Sequence, residues 1–483
     1  MNRKIKGLLS LTLAFSSSIA TAVPIAIVDS GTDFKHEMLI KHTWTKPGKI
    51  VGDSFSGDIH GRNFADDNND TIDYSFMGKF SPDTFKFFEV QLRELNGVAT
   101  DEDRQWMLEK RKDEKFIQEL STFGNFVHGT HVAGIASRGA PLAEIMAAKI
   151  IPTEIKKPSE KLNDYLHFLA QKGITPLSLS LGTNPIDPKV NPVTGFFQDI
   201  IMKAALWFVA GQHSTELDPV GQYVSETGMR VANCSFGTGT SQAKAVAELL
   251  AKSLIQRDLT EEESQKYAVY FINELDDKGK GFATGASKTL FVIAAGNDGL
   301  DNDTNPAYPA NLRLENTITV AATRDFDRLA SFSNYGEKMV DIAAPGVGIR
   351  SSIPTPSEHD TLTVSGTSQA SPYIANIAGR IMDENPNLSV PEVRKILMQT
   401  VDKKSFLAGK VVSGGIANQE RAVIAARLSV HESLDEAIRD SHAETANAPS
   451  VHGQMVSHSM LTGPDTGYDG DPIPLPSVFQ VVK

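Results

Sequence analysis

Apolar residues in this chain fall into short unbroken runs, "VPIAIVDSG", "AEIMAAKII", "GMRVANCSFG", "TLFVIAAGNDG", "TITVAAT" and "MVDIAAPG", each closed by small or polar residues. Runs of about four to eight apolar residues suit strands covered on both faces, as in a parallel sheet. Stretches with helical spacing lie between them: "HGTHVAGIAS", which predicts a helix with His128 at its lip, "QAKAVAELLAKSL" and "SPYIANIAGRIM". This strand–helix alternation predicts an α/β fold, a doubly wound and mostly parallel sheet with helices on both faces. Reactive groups of such sheets gather at the carboxyl ends of the strands. Here those ends carry Asp, Ser-Phe-Gly and Gly-Asn.

Two stretches break the alternation. Residues 78–125 are densely charged with helical spacing ("TDEDRQWMLEKRKDEKFIQEL", Thr100 a candidate N-cap), and residues 183–227 are looser and richer in Pro and Gly. Both read as insertions into one domain spanning 23–429. From 430 to 483 the chain turns polar with frequent Pro and Gly, a composition with too little apolar surface to offset ordering entropy, and a mostly disordered tail is expected. At the other end, basic Arg3, Lys4 and Lys6, the apolar run Leu8 to Phe15 and the small residues "SSSIATA" form the three parts of a signal peptide over residues 1–22. The apolar run is too short to span a bilayer. An exported protein is expected, periplasmic or extracellular, without stable membrane association after cleavage.

Charge and cysteine narrow the field. A formal net charge of −12 disfavours nucleic acid, whose phosphates call for a basic face. Cys234 is the single cysteine, so no intrachain disulfide forms, and its apolar neighbours suit a buried, inert thiol. The segment "HEMLIKH" lacks the two histidines four apart that a zinc-protease helix needs, and "DDNNDTID" lacks the glycine and distal Glu of an EF-hand loop.

The pentapeptide "GTSQA" occurs twice, presenting Ser241 and Ser368 on Gly-led turns. A nucleophilic serine needs a base, a carboxylate to orient that base, and donors for the oxyanion. Asp29 closes "AIVDSG", His128 lies in "VHGTHVAG", Asn297 ends "FVIAAGN" with an amide able to donate, and Ser368 opens a Gly/Ala-rich helix. Ser241 precedes a helix with lysines at polar spacing and reads as a turn and cap.

In that order, "DSG", "HGTHVAG", "AAGN" and "GTSQASP" resemble the signature blocks of subtilisin-like serine peptidases, from about Ala26 to Ala426. The resemblance implies that Asp29 orients His128, His128 is the general base, Ser368 the nucleophile, and Asn297 an oxyanion donor with the Ser368 N–H. It implies a substrate-pairing strand end at Ser235, Phe236 and Gly237, with Ser180-Leu181-Gly182 as the alternative. A primary specificity pocket is implied at Ala294, Ala295 and Gly296, whose small walls leave room for an apolar side chain. The partner expected is a polypeptide substrate of a monomeric enzyme. No cofactor and no metal ligand are expected; a structural calcium is compatible with the family but assignable to no residues. Signal cleavage after Ala22 leaves no room for the usual propeptide before Asp29, and Gln369 stands where the family commonly has Met. An α/β-hydrolase esterase would need the order Ser, Asp, His and would leave "HGTHVAG" and "AAGN" unexplained. A binding protein that keeps the fold without turnover is the non-enzymatic alternative.

Overall fold

The structure, a computed structural model, describes residues 23–48, 54–154, 158–173, 192–354 and 360–445. Its strands are β1 Pro24–Asp29, β2 Gly61–Asn63, β3 Glu144–Lys149, β4 Val231–Cys234, β5 Leu290–Ala294, β6 Thr317–Arg324, β7 Arg328–Leu329, β8 Ile342–Pro345, β9 Ile349–Ser352, β10 Thr361–Val364, β11 Asp402–Lys403 and β12 Gly415–Ile416. The main sheet runs β11-β12-β8-β6-β5-β4-β1-β3-β2, with β7 added antiparallel to β6. All neighbours along the path are parallel except β11 and β12. A separate hairpin pairs β9 with β10.

The helices are α1 Pro82–Leu95, α2 Asp101–Lys110, α3 Glu114–Ser137, α4 Pro158–Gln171, α5 Pro192–Glu226, α6 Thr240–Leu254, α7 Glu261–Gly279, α8 Gly281–Thr284, α9 Thr367–Glu384, α10 Val390–Gln399, α11 Gln419–Leu428 and α12 Leu434–Thr445. They cover both faces of the sheet, and β1 shows how. Ile25 and Ile27 join one core with residues of α3, α9, α10 and α11, while Ala26 and Val28 join the opposite core with α5, α6 and α7. Successive strand side chains alternate between faces, so a strand sandwiched this way is apolar throughout.

After β1 the chain adds β3 and β2 on one side, then crosses to lay β4 and β5 on the other. The order reverses between β1 and β4, and a crevice opens at the carboxyl ends of strands at such a point. Asp29 ends β1, and Ser235 follows directly after β4.

Three sequence expectations change. The helix expected to open at His128 starts earlier: α1 and α2 pack on the first half of α3, and α3 runs unbroken for 24 residues. Asp113 caps it, accepting from the N–H groups of Lys115 (3.0 Å) and Phe116 (3.3 Å). His128 therefore sits in mid-helix and not at a helix lip. Of the second insertion, residues 183–191 lie outside the described residues, and the rest is the 35-residue helix α5. One of its glycines serves packing: a Cβ on Gly221 would stand 2.1 Å from the Phe282 carbonyl oxygen. The ordered chain also continues past residue 429, because α12 buries Ala437, Ile438 and Ser441 and opens with Ser433 and Glu436 hydrogen-bonded to each other. The remainder of the expected tail, 446–483, and the signal segment 1–22 lie outside the described residues.

Candidate active site

Helix α3 meets the turn after β1 at unusually close range. A Cβ on Gly129 would fall 2.1 Å from the carbonyl oxygen of Gly31, so only glycine lets the helix lie this near the turn. The Gly129 N–H donates to Ser30 Oγ (3.1 Å), and the Asp33 N–H to Thr130 Oγ1 (2.9 Å). This stitching places His128 Nδ1 2.7 Å from Asp29 Oδ1, which also accepts from the Ser30 N–H at 2.6 Å. Asp29 is fully buried and His128 nearly so. A carboxylate bonded to Nδ1 holds the ring in one orientation, with the proton on Nδ1 and Nε2 left as the basic nitrogen.

One turn further along α3, His131 is buried against the hairpin, its Nε2 within 3.0 Å of the Leu362 carbonyl oxygen. Burial pushes this imidazole down to about 3, so it is neutral at ordinary pH. Cys234 is likewise buried, and loss of solvent pushes its thiol upward, away from reactivity.

Ser368 occupies the first turn of α9, a helix that begins directly after the hairpin strand β10 and Gly366. Ser235 clamps that turn. Its Oγ donates to the Ser368 carbonyl (3.0 Å), lies 2.8 Å from Ser371 Oγ, and accepts from Asn233 Nδ2 (2.9 Å). The Ser368 hydroxyl donates to the Ser235 carbonyl oxygen at 3.3 Å.

Asn297 is the third residue after β5 and is turned by its neighbours. Its Oδ1 accepts from both the Thr367 N–H and the Thr367 Oγ1, each at 2.9 Å. A backbone N–H only donates, so the oxygen must lie on this side and Nδ2 on the other. That Nδ2 is buried and has no hydrogen-bond partner. An unpaired buried donor is costly unless something arrives to accept from it. The loop behind it is tied down by buried amides: Asn302 donates to the Ala295 carbonyl (3.0 Å), and Asn334 Oδ1 accepts from the N–H groups of Asp298 and Leu300.

Beside Asn297 a cavity of ≈180 Å³ opens, lined among others by Gly237, Ala294, Ala295 and Gly296. Residues after β4 and β5 thus line one pocket. Phe236 is not part of it; its side chain is fully buried in the core on the α5–α7 side of the sheet. Thr238, Asp298 and Tyr308, which also line the cavity, were not singled out from the sequence. Asp298 follows Asn297 directly and was the most legible of the three. The alternative strand end, Ser180-Leu181-Gly182, lies outside the described residues. Of the two "GTSQA" turns, the first opens α6 with Gly239 as N-cap, its N–H donating to Gln242 Oε1.

The acidic run is spent locally: Asp66 accepts from Asn63 Nδ2 (2.9 Å), and Asp67 pairs with Arg62. Among the described residues no group of three or more His, Cys, Asp or Glu side chains is placed to hold a metal ion, and no helix is long and apolar enough to cross a membrane.

A parallel α/β sheet with a buried Asp–His pair and a serine-bearing helix start at its switch point defines a serine-peptidase class of protein. The model of the subtilase family matches residues 20–416, and the chain belongs to that family. It is 40% identical over 126 residues to the cell wall-associated protease of Bacillus subtilis (strain 168), covering 26% of this chain and 13% of that protein. It is 38% identical over 135 residues to thermitase of Thermoactinomyces vulgaris, covering 28% of this chain and 44% of that protein. The matched stretches span less than half the length of these curated relatives. A cold-adapted subtilisin-like serine proteinase of known structure superposes with a TM-score of 0.39 at 18% identity, over 82% of this chain and 87% of that one.

Proposed function

We propose that this protein is an exported serine endopeptidase that hydrolyses peptide bonds through Ser368, His128 and Asp29. The observation that carries the reading is the 2.7 Å bond between Asp29 and His128 Nδ1 at the switch point of the sheet. In the reaction, His128 Nε2 takes the Ser368 proton as Oγ attacks the scissile carbonyl, then returns it to the leaving amine. Asp29 stabilises the imidazolium formed between these steps. Asn297 Nδ2 and the Ser368 N–H at the start of α9 receive the developing oxyanion, where the helix dipole also favours negative charge. The Ser235 carbonyl, which holds the resting hydroxyl, becomes free to accept a substrate N–H once Ser368 turns to its base. The basic start, apolar run and small residues of 1–22 support export, and the acting form is a monomer on polypeptide substrates.

The test is labelling with a fluorophosphonate probe followed by peptide mapping, with Ser368→Ala and Ser241→Ala alongside. Label on the "SGTSQASPY" peptide that disappears only in Ser368→Ala is the expected result. A folded protein that takes no label would refute the reading.

A further inference from the structure

The small residues Ala20-Thr21-Ala22 read as the end of a cleaved leader, which makes Val23 the first residue to remain. In the fold, Val23 has a particular partner. Its N–H donates to the carboxylate of Asp383, in the last turn of α9. Its side chain is buried in the core that also holds Ile377 and Ile381 of α9. Two residues on, Ile25 lies against Gly379, where a Cβ would stand 3.2 Å from Ile25 Cδ1. The end of α9 is thus laid along the start of β1, while Ser368 and Asp29 stand at the opposite ends of the same two elements.

Asp383 is only partly served. Its Oδ1 is enclosed and has no hydrogen-bond partner. The charges beside it are engaged elsewhere. Arg380 turns its guanidinium to Asn376 Oδ1 (2.9 Å) and to the carbonyl oxygens of Arg138 and Gly139, and Glu384 is paired with Arg427 (3.0 Å). Loss of solvent pushes the Asp383 carboxyl up to about 6, against the Val23 bond and the charge of Arg380, which lower it.

We propose that Asp383 is the receptor for the α-ammonium that cleavage between Ala22 and Val23 creates, so that processing converts one hydrogen bond into an ion pair fastening β1 to α9. The inference rests on the export reading and adds a role for the processed terminus. Water adds across the Ala22–Val23 bond, its hydroxyl joining the Ala22 carbonyl carbon and its hydrogen the Val23 nitrogen. The new carboxylic acid then gives its proton to the new amine. An α-amine has an ordinary pKa of about 8 and is mostly charged at neutral pH. The ammonium carries three donors where the amide had one, so it serves Oδ1 as well as the oxygen already bonded. A carboxylate that has lost part of its hydration gains more from an arriving cation than an exposed one does.

The experiment begins with N-terminal sequencing of the exported protein, where Val23 is expected. Two further forms are compared with it: Asp383→Asn, and a form that retains Ala22 as its first residue, released from a fusion by a site-specific protease. In the second form the charge stands one residue, about 3.8 Å, further along the chain, and the Val23 nitrogen is again an amide. All three are treated with the fluorophosphonate probe, which stops self-digestion and reads the peptidase activity separately. Acetylation of the α-amine by N-hydroxysuccinimidyl acetate is then followed by mass spectrometry of the N-terminal peptide. It is expected to be at least about tenfold slower in the Val23 form than in either other form. Thermal unfolding of the Val23 form is expected to lie about 2 °C or more above both. Because the form that retains Ala22 keeps Asp383, the comparison stands even where Asp383→Asn does not fold. Equal amine reactivity, equal unfolding temperatures, or an exported chain that begins at a residue other than Val23 would each overturn the inference and leave the peptidase reading intact. A chain recovered only with Met1 would overturn the export reading and the inference with it, whereas absence of probe label would overturn the peptidase reading alone.

Discussion

Thr367 holds Asn297 by two bonds to one oxygen, and through them it decides which end of the amide faces the cleft. The residue before Ser368 thus sets the orientation of the Asn297 amide. Because Gly366 and Thr367 open α9, Ser368 and the Asn297 amide are held by the same turn.

Asn297→Ala should lower kcat by about 10²–10³ with little change in KM, the range typical of losing one oxyanion donor, subtilisin included among the known cases. Thr367→Val keeps the N–H bond but loses two hydroxyl bonds, the one given to Asn297 Oδ1 and the one accepted from the Gly296 N–H (3.3 Å), and a loss of about five- to tenfold in kcat is expected. Steady-state kinetics on a single peptide substrate checks both. A KM effect without a kcat effect would mean that Asn297 binds ground-state substrate instead.

Gly129 is the contact that lets His128 reach Asp29. Gly129→Ala forces a Cβ against the Gly31 backbone, so the helix or the turn must shift. A stability loss of about 1–3 kcal/mol by urea denaturation is expected, as in other overpacked sites. A fall in kcat larger than that stability loss would explain should accompany it. Unchanged kcat would show that the Asp29–His128 bond tolerates the shift.

Gln369 is buried next to Ser368 and has no thioether to oxidise. Active-site titre should survive hydrogen peroxide, whereas Gln369→Met should lose activity through sulfoxide formation in the Ser368 turn. Time courses of residual activity, with mass spectrometry of the "SGTSQASPY" peptide, distinguish the two.

Asp276 on α7 has an enclosed Oδ1 without a hydrogen-bond partner, and burial pushes its carboxyl up to about 8. Its ordinary value is 3.8, so between these limits the folded chain binds the proton that the unfolded chain has lost. The resulting stability is complete below about pH 4 and is lost as pH rises through about 8. Asp276→Asn should therefore be more stable than wild type at pH 8–9, by on the order of 3 kcal/mol once partial exposure of the side chain is allowed for. Thermal unfolding across pH 5–9 reads this, and a pH-independent difference would refute it.

The strand set and the four chemical blocks were legible because each is local. A strand covered on both faces shows as an apolar run, and a residue at its end is placed at the sheet edge whatever surrounds it. The helix boundaries were less legible, for reasons visible in particular residues. Asp113, Phe116, Leu120, Phe123 and Val127 carry a cap and an unbroken helical period into "HGTHVAG", but the charged residues among them resemble a solvated segment. Pro219 and the glycines of α5 mimic loop chemistry; for Gly221 the reason is close contact with Phe282 of α8, which no local pattern reveals. Helix α12 carries little apolar surface of its own and is ordered by docking on α11. Asp298 was readable as a neighbour of Asn297, but its place against Gly239, about sixty residues earlier in the chain, was not.

Helix α3 gives the charged insertion and the general base a common backbone. Phe123, Phe126 and Val127 on that helix pack with Phe88 of α1 and with Val364, two residues ahead of Gly366. No loop separates Phe126 from His128, so a local opening that begins in the α1–α2 layer has nowhere to stop before the base. Amide exchange should then be matched along α3, with the His128 N–H exchanging on the same timescale as Phe123. On the proposed triad, an event that loosens the insertion, a nick between α1 and α2 for instance, is therefore expected to lower activity through His128.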